Sequence, residues 1–299
     1  MCAQKLSHDE NWPRANTLFT AGLNASDFAL IGIPAHKSSL SPTSANLTPG
    51  AIREALARYS TFAGSTKTDL TKLAMVDLGD VTDPDFADGE AKVAASVENL
   101  LANHKLVMAL GGDNSITYSV ARGLWKDLSK VGVITFDAHH DLRDGQSNGS
   151  PIWRLIQAGL PGKNIVQIGI SDFANSTAYS KRAEDNGITV IDRAMMRSQS
   201  IEKIVTDALA IAGANGREIY VDVDVDVCDR SVAPACPASV PGGITADEIR
   251  NAVRLVAKDS RVRAIDITEI DAALDTPDQR TIRLAALLVL EAAAGVASR

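Results

Sequence analysis

Short, almost unbroken apolar runs recur along this chain with room for one helix between them, and that spacing constrains the fold more than any other feature. Eight such runs fall near 28–33, 73–78, 106–110, 131–136, 165–170, 188–191, 219–223 and 262–267. Helix-period segments lie between them, for example 51–59, 91–103, 116–124, 152–158, 177–186, 201–212 and 246–258. A strand apolar on both faces must be covered on both faces, so the alternation predicts a parallel sheet between two helical layers. Thr245 followed by Glu248 predicts a capping box at the start of the 246–258 helix. The late apolar segment 284–296 is interrupted by Glu291 and is too short for a bilayer span, so it reads as a buried helix. No Gly-, Ser- or Pro-rich linker divides the 299 residues, which predicts one domain, with 1–26 as a loosely ordered extension.

Composition removes several function classes. A chain of this length with 45% hydrophobic and 22% charged residues can bury a large core. A net charge of −7, few aromatics and no basic run argue against nucleic-acid binding. Residues 1–8 lack the apolar core of a signal peptide, which predicts neither export nor membrane attachment. Cys2, Cys228 and Cys236 form no CxxC pair, so reduced thiols in a cytoplasmic protein are expected, with Cys228 and Cys236 as small buried side chains.

Two strand ends carry chemistry. Val133-Ile134-Thr135-Phe136 runs into Asp137, His139 and Asp141 at alternate positions, which an extended chain turns to one side. Oxygen donors with limited imidazole favour a hard or borderline divalent ion, with Mn²⁺ preferred over a structural Zn²⁺. The run ending at Val221 continues into Asp222, Asp224, Asp226 and Asp229. Aspartates buried together repel and lose hydration unless a cation joins them; the rival reading is an exposed edge strand whose acidic face meets water. Two such clusters at strand ends favour the metal. Leu110-Gly111-Gly112-Asp113-Asn114-Ser115 also follows an apolar run, and its glycines permit close backbone approach before Ser115 starts a helix. Taken alone it is equally a turn with a capped helix, and its spacing is not that of a phosphate loop.

In this order and spacing the segments resemble the ureohydrolase superfamily of arginases, agmatinases and formimidoylglutamases over nearly the whole chain. Thr48-Pro49-Gly50-Ala51-Ile52-Arg53 and Val76-Asp77-Leu78-Gly79-Asp80 look like its early elements. Gly111 to Ser115 matches Gly-Gly-Asp-His-Ser with one change, and Asp137 to Asp141 matches Asp-Ala-His-x-Asp. Asp224 to Asp229, continuing through Ala233-Pro234 to Pro241-Gly242-Gly243, matches the second acidic signature, and Ile265 to Glu269 the late one. The resemblance implies a three-layer αβα sandwich around an eight-stranded parallel sheet, assembled as homo-trimers or hexamers. It implies two Mn²⁺ ions per subunit, with Asp137 and Asp224 shared, Asp141 and Asn114 completing one site, and His139 and Asp226 the other. Glu269 would grip the amidine or guanidine, and Asp141 would move the proton from water to the leaving nitrogen. Asp222 and Asp229 fall outside the ligand positions, Asp229 either supporting a ligand from behind or ordering its loop. Asn114 stands where the family has a histidine, so the metal there is expected to be held more weakly. Strand alternation turns His140 away from the ligands, towards packing or hydrogen bonding.

Three features resemble the formimidoylglutamase branch. Asn148-Gly149-Ser150-Pro151 lacks the loop histidine of arginases and agmatinases, Asp141-Leu142-Arg143 follows the metal cluster directly, and Ile168 to Ser176 ends a strand in an asparagine-bearing loop. N-Formimino-L-glutamate carries two carboxylates, which suit Arg143 and Arg154 with Asn148, Asn175 and Ser176 as further donors. The expected reaction is hydrolysis of its C–N bond to glutamate and formamide, a step of histidine degradation. The alternatives are a guanidino hydrolase releasing urea (agmatinase, guanidinobutyrase or arginase type), and a non-catalytic metal- or ligand-binding relative, suggested by Asn114.

Overall fold

A computed structural model describes residues 9–299. Its strands are β1 (Phe19–Thr20), β2 (Ser26–Ile33), β3 (Phe62–Ala63), β4 (Thr68–Asp69), β5 (Met75–Asp80), β6 (His104–Gly111), β7 (Val131–Phe136), β8 (Ile165–Ile170), β9 (Thr189–Asp192), β10 (Glu218–Asp224) and β11 (Val262–Thr268). The helices are α1 (Thr48–Leu56), α2 (Phe86–Val97), α3 (Leu100–Asn103), α4 (Ile116–Leu124), α5 (Pro151–Gln157), α6 (Thr177–Asp185), α7 (Arg193–Met196), α8 (Ile201–Ala212), α9 (Ala246–Lys258) and α10 (Arg280–Val296).

Nine strands form one sheet in the order β1-β5-β2-β6-β11-β10-β7-β8-β9, every pair parallel, and β3–β4 is a separate small hairpin. Alternation along the strands explains the layers. Leu106, Met108, Ile134, Phe136, Val221 and Ile265 face a core closed by α1, α8, α9 and α10. Val107, Ala109, Val131, Val133, Tyr220 and Ala264 face one closed by α2, α4, α5 and α6. The parallel αβα sandwich therefore stands, with one correction: the sheet has nine strands where eight were expected.

The ninth, β1, is two residues long and pairs Phe19 with Met75 and Thr20 with Val76. It lies within the segment expected to be a loose extension. Of that segment residues 1–8, with Cys2, lie outside the described residues, while Ala15 and Leu18 are buried and Phe19 meets Phe28 edge-on. So short a strand carries no alternation of its own to read.

Two of the family-like motifs serve the scaffold. Arg53 on α1 donates to both oxygens of Asp77 and to Asp80, tying that helix to the end of β5. The capping box is present, with Thr245 and Glu248 bonding reciprocally at the start of α9. The late apolar segment is α10, where buried Glu291 pairs with Arg250 and Arg254 of α9. The expected 91–103 helix is broken between α2 and α3 around Glu98 and Asn99. No helix among the described residues is long and apolar enough to cross a membrane.

Candidate active site and metal centre

Four adjacent strands, β6, β11, β10 and β7, deliver the candidate residues at their carboxyl ends, where ligands bind in sheets of this kind. Gly112 brings the loop after β6 onto the end of β2: a Cβ there would lie 1.9 Å from the Ala35 carbonyl oxygen, and Asp113 N donates to that oxygen. Asn114 follows. Ser115 stands at the N-cap of α4, but its hydroxyl donates to Asp113 instead of capping the helix.

Beyond β7, Asp137 accepts from His139 N at 2.5 Å, and His139 Nδ1 lies 2.6 Å from Asp226 Oδ2. Asp226 sits in a 3₁₀ turn immediately after β10, Val225–Val227, where Asp224 Oδ1 accepts its backbone N–H. Its other oxygen accepts from Ala138 N, which joins the two acidic segments. One donor atom each from Asp137, His139 and Asp226 fit within 4.8 Å of one another. Asp141 and Glu269 hold left-handed backbone, φ 53° and 64°, at a cost of about 1–3 kcal/mol each for non-glycine residues.

The electrostatics call for a cation. Asp137, Asp141, Asp224 and Asp226 are all buried, and among the described residues only His139 is paired with any of them as a basic group. Asp137 Oδ2 is buried with no hydrogen-bond partner. Burial, then the Asp226 charge, pushes Asp137 up to about 7. Burial and neighbouring carboxylates raise Asp141 and Asp224 well above the usual range. Burial opposes charge on His139, but its bonds to Asp137 and Asp226 prevail and lift it to about 12. This donor set, oxygen-rich with one imidazole and one unpartnered oxygen, fits a hard or borderline divalent ion.

Asn114 is arranged differently from a simple ligand. Its Nδ2 donates to Asp141 Oδ2 at 2.6 Å, while its Oδ1 accepts from the Thr117 and Thr268 hydroxyls, each at 2.9 Å. The amide oxygen is thus occupied on the side away from Asp141. Glu269 Oε1 accepts from Asn114 N and from Asn148 Nδ2. Burial, reinforced by Asp113, raises Glu269 to about 8.

A cavity of about 330 Å³ opens onto this group, lined among others by His139, Asp141, Asp224, Asp226, Glu269, Arg143, Asn148, Asn175 and Ser176. The polar side chains expected to meet substrate are unequally available. Asn175 bonds His140 N and the Ala138 carbonyl, Ser176 caps α6, and Asn148 bonds Leu40 N as well as Glu269. Arg154 does not reach the cavity lining: it pairs with Glu90 and stacks on Tyr118, so its expected carboxylate contact is corrected. Arg143 lines the cavity with no carboxylate partner among the described residues.

His140 is buried with Nδ1 2.7 Å from Gln167 Oε1, as strand alternation suggests. Asp229 orders its loop through Ser231 N and Gly242 N. Cys228 and Cys236 are free and buried, and burial raises both thiols. Sequence reasoning missed Thr117, Thr268, Gln167 and Tyr179. Gln167 was findable as a polar residue inside the apolar run 165–170; nothing in the sequence flags Tyr179.

Oxygen donors and one imidazole at the carboxyl ends of a doubly covered parallel sheet, beside a carboxylate that can hold a cationic substrate, define a metal-dependent α/β hydrolase. The chain belongs to the arginase family, whose profile matches residues 26–295. It is 37% identical over 278 residues to the formimidoylglutamase of Halalkalibacterium halodurans, covering 90% of this chain and 87% of that one. It is 32% identical over 229 residues to an Escherichia coli agmatinase, covering 74% and 70%. The crystal structure of formimidoylglutamase from Bacillus subtilis superposes with a TM-score of 0.92 at 33% identity, covering 99% of this chain and 95% of that one.

Proposed function

We propose that the protein is a manganese-dependent hydrolase cleaving the C–N bond of N-formimino-L-glutamate to give L-glutamate and formamide. The observation that carries this reading is one cavity lined by His139 and Asp226 of the Asp137–His139–Asp226 donor group, by Glu269, and by Arg143, whose guanidinium has no carboxylate partner among the described residues. The 37% identity to a formimidoylglutamase over 90% of the chain supports the same substrate.

Asp137, His139, Asp141, Asp224 and Asp226 would hold the metal, two ions in the full complement, with the Asn114 end weaker. When bound, manganese supplies Lewis acidity that makes a water nucleophilic near neutral pH. Glu269 orients the substrate: with Oε1 held by Asn114 N and Asn148 Nδ2, Oε2 is left for the amidine N–H groups. Asp141 takes the proton of the attacking water and returns it to the nitrogen that leaves as the amine of glutamate. Oxygen bonds to the formimino carbon, the carbon–nitrogen bond to glutamate breaks, and the carbon departs as formamide. Arg143 faces a substrate carboxylate, as a guanidinium suits. We place this chemistry in the cytoplasm, in a homo-oligomer, as part of histidine breakdown.

The test is product analysis of the Mn²⁺-loaded protein. Formamide from N-formimino-L-glutamate is expected, and urea from arginine, agmatine or guanidinobutyrate is not. Urea without formamide overturns the substrate and keeps the metal chemistry. Metal content measured alongside tests the Asn114 end: Asn114→His should raise bound Mn²⁺ at limiting metal, because imidazole binds it more strongly than an amide oxygen. Equal metal in both proteins would show that Asn114 does not limit the site.

A further inference from the structure

The structure assigns Gly149 and Tyr179 as positioning residues that seat Arg143 for the carboxylate end of the substrate, an inference that rests on the formimino-glutamate reading. Two arginines approach the Tyr179 ring, and only one has its charge answered. Arg182 Cζ lies 5.6 Å from the ring centroid and 4.4 Å from that of Trp153, and its guanidinium bonds Asp144 and the Leu142 carbonyl. Arg143 Cζ lies 5.9 Å from the same Tyr179 ring and bonds no carboxylate among the described residues, although it lines the cavity beside Glu269 and Asp141. Of the two, Arg143 is the cation open to an anionic ligand.

Gly149 explains how that side chain reaches its place. Arg143 N donates to the Gly149 carbonyl at 3.0 Å, which closes the loop between them. A Cβ at Gly149 would lie 2.7 Å from Arg143 Cδ, 3.1 Å from Nε and 3.2 Å from Leu40 Cδ1. The backbone at Gly149 is outside the left-handed region, so conformation alone does not demand glycine; the room taken by Arg143 does. The preceding residue, Asn148, bonds Glu269. One two-residue turn therefore sets both ends of the site, Asn148 behind the amidine holder and Gly149 beneath the carboxylate holder. Tyr179 supplies the face against which the guanidinium lies. An amidine with no carboxylate would gain nothing from this seat, so the arrangement acts on discrimination between substrates.

The experiment compares kcat/KM of the Mn²⁺-loaded enzyme for N-formimino-L-glutamate and for an uncharged N-alkylformamidine. Arg143→Ala should lower the ratio of the two by about 10- to 100-fold, the range for losing a charge-assisted contact. Gly149→Ala and Tyr179→Leu should each lower it by about tenfold, seen mainly as a raised KM for the glutamate derivative. In the Arg143→Ala background neither should lower it further, because residues acting through one group are not additive. An unchanged ratio in both Gly149→Ala and Tyr179→Leu, or full additivity with Arg143→Ala, overturns the seat while wild-type formamide release keeps the function. Wild-type enzyme that releases no formamide from N-formimino-L-glutamate overturns both. Tyr179→Leu keeps the test decisive if Gly149→Ala fails to fold.

Discussion

Strands β7, β10 and β11 are different materials at their two ends. Along their earlier residues Val131, Val133, Ile134, Ile219, Val221, Val262 and Ile265 are fully buried among apolar neighbours, in parallel register that shifts once, between Ile219 and Tyr220 where β10 meets β11. Beyond their last residues stand Asp137, Asp226 and Glu269, with an unpartnered buried oxygen and left-handed backbone at Asp141 and Glu269. The border is a polar row: Thr135, Asp222 and Asp266 are register partners across the three strands, all fully buried, and burial and the Asp266 charge push Asp222 well up. The difference teaches where stability and function reside. Apolar burial before this row fixes the strands, and that rigidity holds together carboxylates that would otherwise separate.

The comparison is broken most directly by one substitution just beyond β7 and one inside it. Asp137→Asn keeps an acceptor for His139 N but removes a charge from the metal group, so Mn²⁺ content and turnover should fall by well over about 100-fold. Its stability in chelator should equal or exceed wild type, since one member of a crowded set of buried carboxylates is gone. Ile134→Ala, three residues earlier, should lose about 2–5 kcal/mol to the cavity it leaves, with manganese per folded molecule unchanged. Denaturant titration and metal analysis of both proteins check this. Equal destabilisation by the two would mean that the tip also carries the fold.

A pH series sharpens the same contrast. Asp137, raised from 3.8 to about 7, and Glu269, raised from 4.5 to about 8, hold protons more tightly folded than unfolded. His139, raised from 6.5 to about 12, acts in the same direction above neutrality. The stability they contribute is complete at acid pH and is lost as pH rises through their folded values, so in chelator the melting temperature should fall between about pH 5 and 8. Mn²⁺ displaces protons from these groups, and its stabilisation should grow over the same interval. Melting curves with chelator and with Mn²⁺ test both signs. A melting temperature that rises over this interval in chelator would show that the tip carboxylates are not strained by burial.

Legibility followed the same division. All eight long strands were readable because apolar runs must be buried, and the acidic tips because two clusters at strand ends favour a cation over an exposed acidic edge. Partnership was not readable. Arg154 and Arg143 look alike as cations near one loop, but a glutamate 64 positions earlier occupies the first and, among the described residues, no carboxylate the second. Asn175 looks like a substrate donor, yet its amide pins the backbone at Ala138 and His140. Asn114 was legible as a departure from the family, while Thr117 and Thr268, which set its amide orientation, reach it from a helix and a strand. Such bonds depend on which strand lies beside which, and composition carries no record of that.

Asn148 gives the smallest effect and the finest probe of the tip. Its amide spans two elements that the strands do not hold, donating to Glu269 Oε1 at 2.9 Å and accepting from Leu40 N at 3.0 Å. Asn148→Ala leaves Glu269 with Asn114 N as its remaining described donor, so the carboxylate keeps its place but loses precision. One lost hydrogen bond to a charged group predicts a fall in kcat/KM of about tenfold. The bond also lowers the Glu269 pKa, which burial raises, so its removal should carry that pKa above about 8. The acidic limb of the kcat/KM profile should move to higher pH, and melting temperature should change little. A tenfold loss with no movement of that limb would mean that Asn148 acts through the Leu40 wall of the cavity instead of through Glu269.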